Sequence, residues 1–191
     1  MRSASESRKR IIKAALDIFS RYGYAGSSMR MIAKSARIST GGLYLYFRNK
    51  EDLYMSLAKD RLDDFSEIMQ KSVKRAENPA KALKAFITVN LDYAQKHREL
   101  ILVEGKEHGF SSSVNIKNQF FQKQTRLIES IIRKGITAGV FRRCNVKEAA
   151  KLIKCAIRGF ILSMIIEEQA LFTAKDSSEL ILQGLLRRHD Q

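Results

Sequence analysis

The sequence predicts an all-α protein, and three observations lead to that prediction. Apolar residues recur at helical spacing through nearly all of the 191 residues. The chain contains a single proline, Pro79, and no tryptophan. No run of alternating polar and apolar residues is long enough to predict a sheet. We therefore expect helices packed around a real core, which a chain of this length can build.

Four helices are predicted in the first 76 residues. They span about residues 7–22, 27–36, 40–47 and 50–76. Ser7, Ser27 and Asn49 are the expected caps, because their side-chain oxygens can accept hydrogen bonds from the free N–H groups at a helix start. Gly23 ends the first helix, and residues 37–39 form the turn before the third.

The later helices are predicted from the same signals. Asn78-Pro79 begins the next helix as its cap and first residue. A break near residues 108–111 precedes a long helix that ends around Gly139. The helix after it runs from 146 to 172. The last two helices each open with a predicted capping box, at 145–148 and 176–179.

The charge of the chain is strongly positive and unevenly distributed. The net charge is +15, and residues 1–50 carry eleven lysines and arginines against two acidic residues. A concentrated basic segment favours a polyanion as partner, because each neutralised phosphate releases counterions. Taken alone, the charge could equally form a solvated surface.

Residues 27–50 have the layout of a helix-turn-helix, which shifts that balance towards DNA. A recognition helix enters the major groove with its N-terminal end, and Thr40, Gly41 and Gly42 occupy that end here. Threonine offers a hydroxyl and a methyl group, while the glycines let the backbone approach the DNA. Tyr44 and Tyr46 suit contacts to phosphates or thymine methyl groups.

Residues 10–55 resemble the DNA-binding domain of the tetracycline-repressor (TetR-type) family of transcriptional regulators. The matching segments are Ile12–Phe19, Tyr22–Tyr24, Arg30–Ala33, Ser39–Phe47 and Lys50–Leu53. The resemblance implies a three-helix DNA-binding domain over residues 1–54. A long helix joins it to a ligand-binding and dimerisation bundle over residues 55–191. The residues implied to lie at the DNA are Ser27, Ser28, Arg30, Thr40, Gly41, Tyr44, Tyr46 and Lys50.

Two positions depart from the pattern of that family. Arg37 stands where glycine is usual, so either a left-handed turn costs about 1 kcal/mol more or the turn differs slightly. Gly42 replaces a frequent threonine, which removes one possible base contact. We include both among the DNA-binding candidates, Arg37 as a possible phosphate contact.

Plainer interpretations of these residues stay open. Tyr44 and Tyr46 could be packing aromatics, and Arg30 could be a solvated surface residue. The basic segment 8–10 could track phosphates or enter the minor groove. It could equally be a disordered tail.

An effector pocket, implied by the resemblance, is expected in the C-terminal bundle. Two apolar stripes there are interrupted by polar residues, and a few polar groups within apolar walls can orient a ligand. The candidates are Phe86, Asn90, Phe120 and Gln124. For any one of the polar residues, a buried amide satisfied by a carbonyl or water is the alternative.

A dimer interface is predicted from the last two helices. Residues 159–166 are apolar on every side of a helix, so every side must be buried, one of them by a partner subunit. The last helix is also too broadly apolar for one neighbour. The candidates are Phe160, Ile161, Met164, Ile165, Ile181, Leu182, Leu185 and Leu186. The alternative is simple burial within a large monomer core.

Several classes of function find no support in the sequence. Cys144 and Cys155 fit neither a disulfide framework nor a zinc site. Glu104 and His108 lack a third metal ligand, and no nucleophile–base motif or phosphate-binding glycine loop is present. The polar N-terminus is no signal peptide, and no apolar stretch could span a bilayer. We expect a cytoplasmic protein that is not an enzyme and uses no metal or cofactor.

Together these inferences predict a homodimeric, ligand-responsive transcriptional regulator. It would act as a repressor that binds a near-palindromic operator and leaves it when a small-molecule effector binds. Its two recognition helices would meet successive major grooves about 34–36 Å apart. The expected partners are double-stranded DNA, an unknown effector and a second copy of the chain, with no membrane. The alternative function is an architectural DNA-binding protein without an effector, supported by the high charge.

Overall fold

The computed structural model describes residues 4–98, 111–166 and 173–186. Within these ranges the chain forms eight helices and no β-strand, with one isolated bridge between Phe141 and Leu186. The helices are α1 (Ala4–Tyr22), α2 (Met29–Ser35), α3 (Thr40–Tyr44), α4 (Lys50–Lys74), α5 (Pro79–Lys96), α6 (Ser111–Thr137), α7 (Val146–Ile166) and α8 (Ala174–Leu185). The predicted all-α class is confirmed.

The described residues form two compact units. The N-terminal unit contains residues 4–63 and 111–116, and the C-terminal unit contains residues 64–98, 117–166 and 173–186. Leu57 packs into the core of the N-terminal unit, three residues beyond the domain boundary predicted after residue 54. The boundary itself stays a prediction.

The core of the N-terminal unit is built from the inward faces of α1 to α4. Its fully buried side chains are Ile11, Ala15, Ile32, Ala36, Leu43 and Leu53. Phe47 is also buried, so Leu43 and Phe47 together hold the short α3 against the other helices. Five residues cannot form a stable helix alone, so α3 depends on this packing.

Side-chain caps begin most helices, although two lie beside the predicted residue. Ser28 rather than Ser27 caps α2, because its Oγ accepts from the Met31 N–H at 3.2 Å. Thr173 rather than Asp176 caps α8, and its Oγ1 accepts from the Asp176 N–H at 3.1 Å. Ser7 caps nothing, because α1 already begins at Ala4.

The predicted caps of α4 and α5 are confirmed. Asn49 accepts from the Asp52 N–H at 2.7 Å, and Asn78 accepts from the Lys81 N–H at 2.8 Å. Asn145 likewise accepts from the first N–H groups of α7. In that predicted capping box, however, the Glu148 side chain pairs with Lys151.

Glycines in the left-handed conformation end two helices as predicted. Gly23 has φ +68° and Gly139 has φ +69°. After α6, the Val140 N–H donates to the Gly135 carbonyl at 2.9 Å, which closes a Schellman turn. The Phe141 ring then covers the Gly135 backbone, where an added Cβ would lie 2.0 Å from the ring. Gly135 is therefore required for this packing.

Exposed ion pairs support the long α4. Lys59 pairs with Asp63 and Glu67 with Lys71, each four residues apart. The hydrogen bond to the Asp63 carboxylate raises the pKa of Lys59. The hydrogen bond from Lys71 lowers the pKa of Glu67.

The C-terminal unit packs α5 against α7 and α8. Its core contains the fully buried side chains Leu83, Phe86, Ile87, Ile128 and Ile132. The predicted break near 108–111 and the extension of α7 to 172 lie wholly or partly outside the described residues. None of the described helices is long and apolar enough to cross a membrane.

Candidate functional site

The turn between α2 and α3 is a Schellman turn with arginine in the place of glycine. Arg37 has φ +54°, and no other described non-glycine residue has a positive φ. The Ile38 N–H donates to the Ala33 carbonyl at 3.0 Å, and the Arg37 N–H donates to the Lys34 carbonyl at 3.1 Å. The turn therefore keeps the usual geometry, and the predicted backbone strain at Arg37 is present.

Helix α3 buries one side and exposes the other. The Ser39 Oγ accepts from the Gly42 N–H at 2.9 Å and caps the helix. Tyr44 is 52% exposed and Tyr46 is 38% exposed, while Leu45 between them is 87% exposed. The two tyrosines are therefore not packing aromatics of the N-terminal core.

The two glycines of α3 differ in their surroundings. A Cβ added at Gly42 would lie 3.0 Å from the Ser39 Oγ, which is a tight contact with the cap. A Cβ at Gly41 would meet nothing within 4 Å. Gly42 therefore leaves room for the cap, whereas Gly41 and the exposed Thr40 present open surface at the start of α3.

Ser27 and Lys50, both predicted at the DNA, direct their side chains inward. The Lys50 Nζ donates to the carbonyls of Tyr24 and Ser27 at 2.7 and 2.8 Å, and it lies 4.2 Å from the centre of the Tyr24 ring. The Ser27 hydroxyl is buried and donates to the Tyr24 carbonyl at 2.7 Å. Both residues hold the loop that leads into α2, where Ser28 and Arg30 are exposed.

The basic segment 8–10 is helical, not a disordered tail. Arg8 pairs with Asp60 at 2.9 Å and lies over the Phe47 ring. Arg10 instead lines an open cleft of about 500 Å³ together with Glu6, Ser35 and Arg37. Among the described residues, the buried Nε of Arg10 has no hydrogen-bond partner. Two guanidinium groups thus share one open cleft beside α2.

Comparison with known proteins assigns the helix-turn-helix segment to a family. Residues 11–57 match the family described as "Bacterial regulatory proteins, tetR family". The fatty acid metabolism regulator protein of Bacillus subtilis (strain 168) is 26% identical over 182 residues, covering 92% of this chain and 93% of that protein. The chain therefore carries the DNA-binding domain of the TetR family over residues 11–57. It is a transcriptional regulator with a DNA-binding helix-turn-helix.

Two solved structures of transcriptional regulators have the same fold. The regulator FadR from Bacillus subtilis, in complex with stearoyl-CoA, has a TM-score of 0.74 at 25% identity, covering 92% of this chain and 95% of that chain. A regulator from Saccharomonospora viridis, in complex with choline, has a TM-score of 0.81 at 17% identity, covering 96% and 100%. The second likeness concerns the fold alone.

The predicted effector-pocket residues of this chain are all buried. The Gln124 Nε2 donates to the Asn90 Oδ1 at 3.0 Å, and the Asn90 Nδ2 donates to the Phe86 carbonyl at 2.8 Å. Phe120 packs against Phe65 nearby. The two amides satisfy each other and the backbone, which is the structural role that the sequence left open. Their role in ligand binding stays a prediction.

A cavity of about 430 Å³ lies elsewhere in the C-terminal unit. It is lined by residues of α5, α7 and α8, among them Leu91, Phe160, Met164 and Ser177. None of the four predicted pocket residues lines it. The sequence pattern missed this cavity because only the packing of three helices encloses it.

The predicted dimer-interface residues divide into three groups. Leu182 and Leu185 are buried in the core of the chain itself. Phe160, Ile161, Met164 and Ile181 are half-buried against that core, while Leu186 is exposed. The side chain of Ile165 lies outside the described residues.

An exposed apolar stripe on α7 was missed by the sequence analysis. Its members are Leu152, Cys155, Gly159, Leu162 and Ile166. Alternating steps of three and four residues place them on one helix face, as in a coiled-coil seam. Leu180 on α8 is also exposed. The three-four spacing was the available signal, because it separates this face from the inward one.

Proposed function

We propose that this regulator is a homodimeric repressor that binds a near-palindromic operator and releases it when a small molecule binds the C-terminal unit. The main supporting observation is α3, a short helix anchored by the buried Leu43. Tyr44 at its end is exposed, and so are Leu45 and Tyr46, which follow it. Exposed aromatic and aliphatic side chains on a basic helix-turn-helix suit thymine methyl groups and phosphates. The cytoplasm is the proposed location, because the operator is there.

The proposed DNA contacts fall into base-reading and phosphate-binding groups. The N-terminal half of α3 and the exposed residues at its C-terminal end read base edges. Leu45 is added to the predicted set because, at 87%, it is the most exposed side chain of this region. The base-reading candidates are Thr40, Gly41, Gly42, Tyr44, Leu45 and Tyr46. The phosphate-binding candidates are Ser28, Arg30, Arg37 and Arg10. Ser27 and Lys50 contribute by positioning the start of α2.

The proposed dimer forms through the stripe on α7 and the exposed face of α8. Leu162, Ile166 and Leu180 would each leave a large apolar surface in water without a partner. A second copy of the chain can cover them in an isologous interface, since the same helices meet about a two-fold axis. Two copies of α3 can then reach half-sites about 34–36 Å apart.

The proposed effector class is a fatty acyl thioester. The Bacillus subtilis relative is a fatty acid metabolism regulator, and the FadR structure that covers 92% of this chain contains stearoyl-CoA. Both likenesses extend through the C-terminal unit, where the effector of this chain would bind. An acyl chain also suits a cavity with apolar walls.

Selection of bound genomic fragments, followed by affinity measurements at fixed salt, tests the proposed function. We expect a near-palindromic fragment to bind at least about a thousandfold more tightly than random DNA. Stearoyl-CoA should release the protein from this fragment, while free coenzyme A should not. Equal affinity for selected and random DNA would instead favour the architectural alternative.

A further inference from the structure

The cavity of about 430 Å³ in the C-terminal unit has an apolar wall and a polar end. Leu91 from α5 and both Phe160 and Met164 from α7 form the wall. The polar end is the first turn of α8, with Ala174, Lys175 and Ser177. A space of this volume lies within the range of small-molecule sites. Thr88, Asp92, Gln95 and Ser163 add polar groups to the wall, so the cavity suits an amphipathic molecule.

Two neighbouring buried serines on α8 differ in whether their hydroxyls make a hydrogen bond. Ser177 is 1% exposed and Ser178 is 0% exposed. The Ser178 hydroxyl donates to the Lys175 carbonyl at 2.7 Å. Ser177 lines the cavity, and its buried hydroxyl has no hydrogen-bond partner among the described residues. A buried hydroxyl without a partner is unfavourable, so a ligand atom in the cavity would satisfy it.

The start of α8 adds further donors beside Ser177. The first N–H groups of a helix have no intrahelical acceptor. Thr173 accepts from the Asp176 N–H, and its carbonyl accepts from the Ser177 N–H. Ala174 and Lys175 line the cavity, their N–H groups have no acceptor within the helix, and the helix dipole there favours negative partial charge. The polar end therefore offers donors to a ligand acceptor.

The charges near the cavity narrow the identity of that acceptor. Lys175 carries a positive charge and Asp92 a negative one, and both line the cavity. Because the charges of Lys175 and Asp92 oppose each other, the cavity does not require an anionic ligand. A neutral carbonyl oxygen can therefore serve as the hydrogen-bond acceptor. A fatty acyl group has this oxygen at one end of an apolar chain, whether it is a carboxylate or a thioester.

We propose that this cavity binds the acyl group of the effector, with the acyl oxygen accepting from the Ser177 hydroxyl. The chain then lies along Leu91, Phe160 and Met164. The inference rests on the proposed function, in which a small molecule controls operator binding. It assigns the ligand to this cavity and not to the Asn90–Gln124 amide pair, whose hydrogen bonds are already satisfied.

Calorimetric titration of the full-length protein tests the site with Ser177→Ala and Ser178→Ala as a matched pair. The probes are dodecanoyl-CoA, stearoyl-CoA and dodecanoate, with free coenzyme A as control. Ser177→Ala should weaken binding of the acyl probe about five- to tenfold, because one hydrogen bond to the ligand is lost. Ser178→Ala should leave that affinity unchanged. Comparison of dodecanoate with dodecanoyl-CoA distinguishes the free acid from the thioester.

Thermal unfolding of the two variants provides the folding control. Ser177→Ala should unfold at the same temperature as the original protein or slightly higher, since it removes an unpaired hydroxyl. Equal loss of ligand affinity in both variants, or in neither, would overturn the assigned site. Tight binding of free coenzyme A would overturn recognition of the acyl group. If no acyl probe binds a protein that still binds its operator, the ligand class is wrong while the proposed repressor function stands.

Discussion

The N-terminal and C-terminal units bury cores of the same aliphatic and aromatic side chains, yet they expose different surfaces. The N-terminal unit exposes Tyr44, Leu45 and Tyr46 at the end of one short helix, within a basic segment. The C-terminal unit exposes Leu152, Leu162 and similar residues along two helices. Phosphates and thymine methyl groups suit the first surface, whereas a second copy of the chain suits the second. Exposed apolar residues thus indicate different partners according to the charge around them.

The units also differ in how they satisfy polar groups. In the N-terminal unit, the Lys50 ammonium binds two backbone carbonyls and holds a loop in place. In the C-terminal unit, the buried Ser177 hydroxyl has no partner among the described residues. We propose that the first arrangement holds the start of α2 in place for DNA contact. The second leaves a donor that a ligand can use.

The largest expected effect comes from placing charges on the exposed C-terminal face. The double variant Leu162→Glu/Leu180→Glu should be monomeric, because buried carboxylates without partners oppose association. Its operator affinity should fall more than about a hundredfold, since one half-site alone remains for each chain. Light scattering and gel-shift titration measure the two effects. Ile68→Glu, at another exposed apolar position, should remain dimeric; a dimeric double variant would contradict the proposed interface.

The next effect concerns the exposed end of α3. Tyr44→Ala should lower operator affinity about tenfold to a hundredfold, which corresponds to about 1–3 kcal/mol for one base-edge contact. The folded state should be unchanged, because the side chain is half exposed. Tyr22→Ala is the matched control, since Tyr22 is 53% exposed at the end of α1. Equal effects of the two substitutions on operator affinity would remove Tyr44 from the DNA contacts.

The buried amide pair should affect stability more than ligand binding. Asn90→Leu leaves the Gln124 amide without its partner, so the free energy of unfolding should fall by about 1–3 kcal/mol. The double variant Asn90→Leu/Gln124→Leu should recover much of the loss, because both polar groups are gone. Denaturant titration measures both changes. If Asn90→Leu instead lowered acyl-CoA affinity without lowering stability, the Asn90–Gln124 pair would belong to the effector site.

The smallest expected effect is at the turn of the helix-turn-helix. Arg37→Gly should raise the free energy of unfolding by up to about 1 kcal/mol, because glycine adopts the left-handed conformation without strain. Operator affinity should fall slightly, and its salt dependence should weaken by about one phosphate contact. Salt-dependent binding measurements check this. An unchanged salt dependence would leave Arg37 with no role at the DNA.

Much of the N-terminal unit was predictable, because its signals are local in the chain. Gly23 and Asn49 mark helix ends through their own backbone preferences and side-chain oxygens, so their roles needed no tertiary information. The strain at Arg37 followed from its place in the turn. Caps were misplaced by one to three residues at Ser27 and Asp176, because another residue able to cap a helix stands one or three positions away from each of them.

The sequence by itself determined the helical class, the helix-turn-helix and the family, since helical periodicity and capping act over a few residues. Only the tertiary structure decided which side of each apolar helix faces the core. It turned Leu182 and Leu185 inward and left Leu162 and Leu180 outward. It also paired Asn90 with Gln124, 34 residues apart, and enclosed a cavity beside Ser177. These outcomes depend on contacts between helices distant in the chain, which no local pattern encodes.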